Sequence, residues 1–220
     1  MSTPDAPTSP KLAPKPASWI YAEDFVEQSE ALEQARRDAA ELGLTPVSRG
    51  AASVLTFLAR TLQARAVVEI GTGSGVSGLA LFAGMQPDGI LTSVDIESEH
   101  QQAARKAFLS VGLRTQRFRL IAGAALTVLP KLSDGAYDLV FVNADPLESA
   151  ECVEQAIRLL RPGGVLALAD AFSHENTADA GNTDEETEAV RSALTAVREN
   201  EHLVAALLPV GGGLLVAARR

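Results

Sequence analysis

The chain has 220 residues, 46% of them hydrophobic, and a formal net charge of −9, a size and balance that fit one α/β domain with its own core. The acidic excess argues against nucleic acid or an anionic membrane surface as a partner, and no apolar run is long enough to cross a bilayer. A single cysteine, Cys152, excludes an intramolecular disulfide and, with an N-terminus lacking the basic-then-apolar signal pattern, points to the cytoplasm. That cysteine reads as a small hydrophobe on a helix.

Residues 1–16 carry Pro4, Pro7, Pro10, Pro14 and Pro16 with little apolar content. A flexible proline-rich arm is therefore expected over 1–17, ahead of a single folded domain at 18–220. Trp19-Ile20-Tyr21 opens the folded part. Two helices are predicted around 21–42 and 48–63, separated by Gly43-Leu44-Thr45-Pro46. An alternation follows: strand 66–70 and helix 76–85, strand 90–95 and helix 98–110, strand 117–121 and a short helix 124–131. Strand 137–143, helix 148–160 and strand 164–169 continue it. This rhythm predicts a parallel sheet with helices on both faces, and the apolar runs at 137–142 and 165–169 fit strands buried on both sides. The acidic, Gly- and Asn-containing stretch 172–187 reads as a mobile loop. Residues 203–208 and 214–218, joined by Pro209-Val210-Gly211-Gly212-Gly213, predict a terminal antiparallel hairpin.

The turn after the first strand carries the functional signal: Val67-Val68-Glu69-Ile70-Gly71-Thr72-Gly73-Ser74-Gly75. Glycines let backbone approach a ligand where a Cβ would clash, and the following helix offers unpaired N–H groups. Gly73-Ser74-Gly75-Val76-Ser77-Gly78 matches the dinucleotide pattern G-x-G-x-x-G, but that pattern wants its first glycine directly after the strand. Gly71 takes that place, giving Glu69-x-Gly71-x-Gly73-x-Gly75. A carboxylate at the strand end is awkward beside a pyrophosphate and suits a ligand bearing an ammonium. S-adenosyl-L-methionine has an ammonium, a sulfonium and no phosphate. A dehydrogenase is the more distant reading.

The chain resembles the class I S-adenosylmethionine-dependent methyltransferases, most closely the catechol O-methyltransferase-like family 3. Five segments carry the likeness in order over roughly residues 20–220: 68–77 around Glu69 and Gly71, Leu91-Thr92-Ser93-Val94-Asp95-Ile96-Glu97, Ile121-Ala122-Gly123-Ala124-Ala125, Ala136-Tyr137-Asp138-Leu139-Val140-Phe141-Val142, and Leu159-Leu160-Arg161-Pro162-Gly163-Gly164-Val165-Leu166. The resemblance implies a Rossmann-like, doubly wound, mostly parallel seven-stranded sheet with a C-terminal antiparallel hairpin and extra N-terminal helices. It implies that Asp95 accepts from the ribose hydroxyls, Ile96 lies on the adenine, and Gly123, Ala124 and Ala125 approach the adenine edge. Glu69 would face the methionine ammonium. Gly71, Thr72, Gly73 and Ser77 would line the methionine and sugar, with Val47 and Asn143 also at the cofactor.

The chain departs from the family where metal and base are expected. The family reads Asp-Ala-Asp-Lys after the fourth strand and Asp-Asn after the fifth. Here the segments are Asn143-Ala144-Asp145-Pro146 and Asp170-Ala171. Hard cations want oxygen ligands and one or two carboxylates, so no metal site and no catalytic lysine are carried over. The expected bases are Asp145 and Asp170; His174 falls in the acidic stretch, and His100 and His202 read as solvated. The implied activity is methyl transfer to a small-molecule acceptor, at oxygen, without the usual metal, with a noncatalytic cofactor binder as the alternative. The family is usually dimeric, and the apolar positions Trp19, Ile20, Phe25, Val54, Leu55, Phe57 and Leu58 make a homodimer the expected assembly.

Overall fold

The computed structural model describes residues 17–220; the arm expected at 1–17 lies, apart from Ala17, outside them. Three helices come first: α1 (Ala17–Glu23), α2 (Glu30–Glu41) and α3 (Arg49–Thr61). The helix expected over 21–42 is thus two. Ser29 ends the break between them, its hydroxyl accepting from the Leu32 N–H at 3.4 Å, with Glu30 and Glu33 in the first turn, where the helix dipole favours negative charge.

The alternating part runs β1 (Ala66–Ile70), α4 (Val76–Gly84), β2 (Ile90–Asp95), α5 (Ser98–Ser110), β3 (Phe118–Ala122), α6 (Ala125–Val128), β4 (Tyr137–Val142), α7 (Ser149–Leu159) and β5 (Leu160–Leu168). Then come α8 (Glu185–Glu199), β6 (Leu203–Leu208) and β7 (Leu214–Arg219). The seven strands form one sheet in the order β3-β2-β1-β4-β5-β7-β6. The first five are mutually parallel, and β7 pairs antiparallel with both β5 and β6. The Rossmann-like sheet and its closing hairpin are as expected.

Strand alternation sorts the core into two layers. Val67, Leu139 and Phe141 point to one side, where they meet Leu55 of α3, Leu81 of α4 and Phe108 of α5. Val68, Val140 and Val142 point to the other, against Cys152 and Val153 of α7 and Val197 of α8. Cys152 is fully buried there, and burial pushes its thiol up to about 12, as befits a packing residue rather than a nucleophile.

Helix α8 was not expected, and much of the stretch read as a mobile loop is ordered. Asp184 caps α8, accepting from both the N–H and the hydroxyl of Thr187 at 2.8 Å. Arg191, one turn on, donates to the carbonyls of Asn176, Thr177, Asp179 and Asn182. Acidic and small residues that resemble a solvated loop are here a helix start and the turns tied to it. No helix among the described residues is long and apolar enough to cross a membrane.

Candidate active site

The strand order reverses between β1 and β4, and ligands bind open α/β sheets outside the strand ends at such a switch point. At that point Gly71 has φ +90°, and a Cβ there would collide with the Asn143 carbonyl oxygen. The glycine is required by the crossing of the β4 exit over the β1 exit. Gly75, at φ +91°, would set a Cβ 2.9 Å from Ala104 Cα of α5. Only Gly73 faces open space, with nothing nearer than Leu44 Cδ1 at 3.8 Å. Two of the three turn glycines thus serve chain packing, and Gly73 alone offers bare backbone to a ligand.

A cavity of about 380 Å³ opens in front of this turn. Its wall comes from the glycine turn, the ends of β2, β3 and β4, and the 44–47 segment between α2 and α3. It includes every residue expected at the cofactor except Glu69, and one expected base, Asp145. Asp170 is not part of it. None of the described wall residues is a lysine or arginine, whereas Asp95, Asp145 and Glu148 bring carboxylates.

Asp95 is held from three directions. Its Oδ2 accepts from the Gly73 N–H at 3.0 Å, and its Oδ1 accepts from the Glu97 N–H at 2.9 Å. His100 Nδ1 lies 3.1 Å from the same Oδ1. The Asp95 side chain is only 9% exposed, so it is no solvated loop carboxylate. Ile96, next in the chain, is 69% exposed at the cavity wall.

Glu69 sits beneath the turn, fully buried. Its Oε2 accepts from Ser93 Oγ at 2.6 Å, and Ser93 Oγ pairs in turn with Thr72 Oγ1 at 2.7 Å. Its Oε1 has no partner in hydrogen-bonding geometry. Burial pushes this carboxyl up to about 7, the Ser77 and Ser93 hydroxyls hold it down, and the charge of Asp95 adds to the rise. An unsatisfied buried oxygen in a native site calls for an explanation, and an ammonium arriving over the turn would supply one.

At the β4 end, the Asn143 N–H donates to the Ile70 carbonyl at 2.8 Å, and Asp145 accepts from the Leu147 N–H at 2.9 Å. Pro146 opens a short 3₁₀ turn. At the β5 end, Ala171 is fully buried and its N–H bonds to the Gly213 carbonyl. Asp170 has φ +51°, and its carboxylate packs against Gly212 of the hairpin turn. Desolvation raises its pKa and the charge of His174 opposes that. Among the described residues no three His, Cys, Asp or Glu side chains group so as to hold a metal. His174 and His202 are exposed. His100, expected to be solvated, belongs to the cavity wall. The available signal was its place five residues after Asp95, where the first turn of α5 folds back over the strand end.

Comparisons with known proteins agree with this geometry. The model of a family described as O-methyltransferase matches residues 22–220. A relative from Mycobacterium sp. (strain JLS) that carries the O-methyltransferase name is 42% identical over 219 residues, covering 100% of both chains. A crystal structure of a Corynebacterium glutamicum protein superposes with a TM-score of 0.85 at 35% identity, covering 91% of this chain and 94% of that one. The O-methyltransferase TomG from Streptomyces achromogenes, involved in tomaymycin synthesis and solved with S-adenosylmethionine, gives 0.83 at 26% identity, covering 94% and 99%.

Proposed function

The chain belongs to the O-methyltransferase family, and on that premise we propose that it methylates a hydroxyl of a small-molecule acceptor without the divalent metal of catechol-type relatives. The observation that carries the cofactor is the wall's charge pattern. A buried carboxylate with a free oxygen lies under the turn, a triply held Asp95 stands across from it, and no described wall residue is a lysine or arginine. That pattern suits a ligand with an ammonium, a ribose and no phosphate, and disfavours a dinucleotide. S-adenosyl-L-methionine supplies a methyl group already activated on a sulfonium.

In this reading Asp95 holds the ribose hydroxyls, Ile96 covers the adenine, and the backbone at Gly123, Ala124 and Ala125 meets its edge. Gly71, Thr72, Gly73 and Ser77 line the sugar and methionine, Val47 and Asn143 close the sides, and Glu69 balances the ammonium. The remaining task is to align the acceptor oxygen and exclude water, which can contribute about 7–11 kcal/mol. Asp145 is the better supported base because it belongs to the wall, whereas Asp170 packs against the hairpin turn outside it. Asp145 would take the hydroxyl proton.

The metal-free reading rests on Asn143, Pro146 and Ala171. An amide replaces one carboxylate, proline cannot carry a proton, and Ala171 is packed into the core, where an amide ligand would have to be buried. We also propose a homodimer through Trp19, Ile20, Tyr21, Phe25 and Phe57, all exposed on α1, α3 and the segment between α1 and α2. Leu55 is fully buried, so it does not contribute.

Isothermal titration with S-adenosylmethionine, S-adenosylhomocysteine and NAD, each with Mg²⁺ or EDTA, tests the reading. Binding of the first two, unchanged by EDTA, is expected. Binding of NAD alone would sink the cofactor assignment, and loss of methyl transfer on chelation would sink the metal-free one.

A further inference from the structure

The ring of His100 is 20% exposed, belongs to the cavity wall and meets Asp95 Oδ1 at 3.1 Å. An ionised carboxylate only accepts, so the nitrogen facing it carries the proton. Its other nitrogen, Nε2, makes no hydrogen bond to the described residues. The Glu97 N–H shares Oδ1 with it, and the Gly73 N–H holds Oδ2. Three donors from the glycine turn, the β2 exit and α5 therefore fix one carboxylate. The two backbone donors are set by the fold; His100 is the only side chain among the three.

We propose that His100 is a positioning residue for the cofactor's ribose: it holds Asp95 in the cavity wall so that the carboxylate meets the ribose diol already oriented. This rests on the S-adenosylmethionine reading of the cavity. A carboxylate with two free side-chain torsions loses that freedom when a ligand binds. One that is pinned beforehand does not, and the saving appears as affinity. A charge-assisted hydrogen bond is also about twice as strong as a neutral one, so the His100–Asp95 contact can define the carboxylate's orientation. Oδ1 is taken by two donors, whereas Oδ2 accepts from the Gly73 N–H alone and keeps a site for a ribose hydroxyl. The effect of His100 is therefore specific to ligands that carry the diol.

The test is titration of the full chain with S-adenosylhomocysteine and with its 2′,3′-dideoxyribose analogue, in the wild type, His100→Phe and His100→Asn. His100→Phe should weaken S-adenosylhomocysteine roughly tenfold, the scale of one hydrogen bond to a charged group, and leave the analogue unchanged. His100→Asn, whose amide can donate near the Nδ1 position, should recover most of the loss. In an Asp95→Asn background, His100→Phe should add nothing further. His100→Ala gives the same comparison should the phenylalanine variant not fold. Equal weakening of both ligands would mean a packing role only, and no weakening would mean a bystander; either overturns the proposal while leaving the cofactor reading intact. A wild type that binds neither S-adenosylmethionine nor S-adenosylhomocysteine overturns the cofactor reading itself and this inference with it.

Discussion

At the scale of single residues, two carboxylates flank the glycine turn in different settings. Asp95 is pinned by Gly73, Glu97 and His100 in the cavity wall. Asp95→Ala should weaken S-adenosylhomocysteine by roughly 1–3 kcal/mol in a titration, the cost of losing charge-assisted hydrogen bonds. Glu69 is buried with a carboxyl raised from 4.5 to about 7. For a raised acid the folded state binds more protons than the unfolded state between those values. Its contribution to stability is then full below about 4.5, declines as pH rises toward 7, and is flat above. Glu69→Gln should abolish that decline, so the variant's melting midpoint should rise relative to the wild type's from about pH 4.5 to about pH 7.5. Parallel curves would show that Glu69 does not titrate in this range. The same substitution should weaken cofactor binding, since the Glu69 carboxylate proposed to balance the ammonium loses its charge.

Among the elements, two side chains tie distant segments together. Asp138 at the start of β4 accepts from the N–H groups of Arg65 and Ala66 at 2.7 and 2.9 Å and from Arg161 Nε at 2.6 Å. It thereby joins the entry of β1 to β4 and β5. Burial alone would raise its carboxyl, but these donors outweigh it and hold the group below the usual carboxylate range. A depressed pKa stabilises the fold above the unfolded value of about 3.9 and loses that stabilisation as pH falls through the folded value. Asp138→Asn should cost about 2 kcal/mol near neutral pH and remove the matching part of the acid sensitivity, read by denaturant melts at pH 7 and pH 3. Arg191 plays the second tie, holding four carbonyls of the segment before α8. Arg191→Ala should raise amide exchange across residues 171–182 while leaving the sheet protected. Uniform exchange in the wild-type segment would show that the clamp is not formed.

For the whole molecule, part of the exposed apolar surface lies on the helices where a partner copy is proposed. Trp19, Ile20, Tyr21, Phe25 and Phe57 are each more than a third exposed, and the proposed homodimer would cover them. Glu23 holds α1 in place, accepting from the N–H of Gly50 at the start of α3 and of Gly211 in the hairpin turn. Light scattering at micromolar concentration should give twice the chain mass, and Ile20→Glu with Phe57→Glu should return the monomer. A wild-type monomer would remove the homodimer.

Much of this protein was legible in its sequence because the relevant signals are local. Buried parallel strands write themselves as apolar runs, and the cradle as glycines at fixed spacing after a strand. Asp95 follows from its place at the next strand's end. Tertiary structure decided what depends on which distant segments cover a residue. Glu69 lies in β1 beneath the turn, because Ser93 of the neighbouring strand and the turn itself close over the carboxylate. His100 joins the cavity because α5 folds back on β2. Asp170 leaves it because the strand end turns through φ +51° beside the hairpin. Helix α8 was hidden because its acidic first turn looks like solvated loop, and only packing of Val190, Ala193 and Val197 rewards the helix. Periodicity reports whether a face is buried; which groups meet across that face is decided by contacts far apart in the chain.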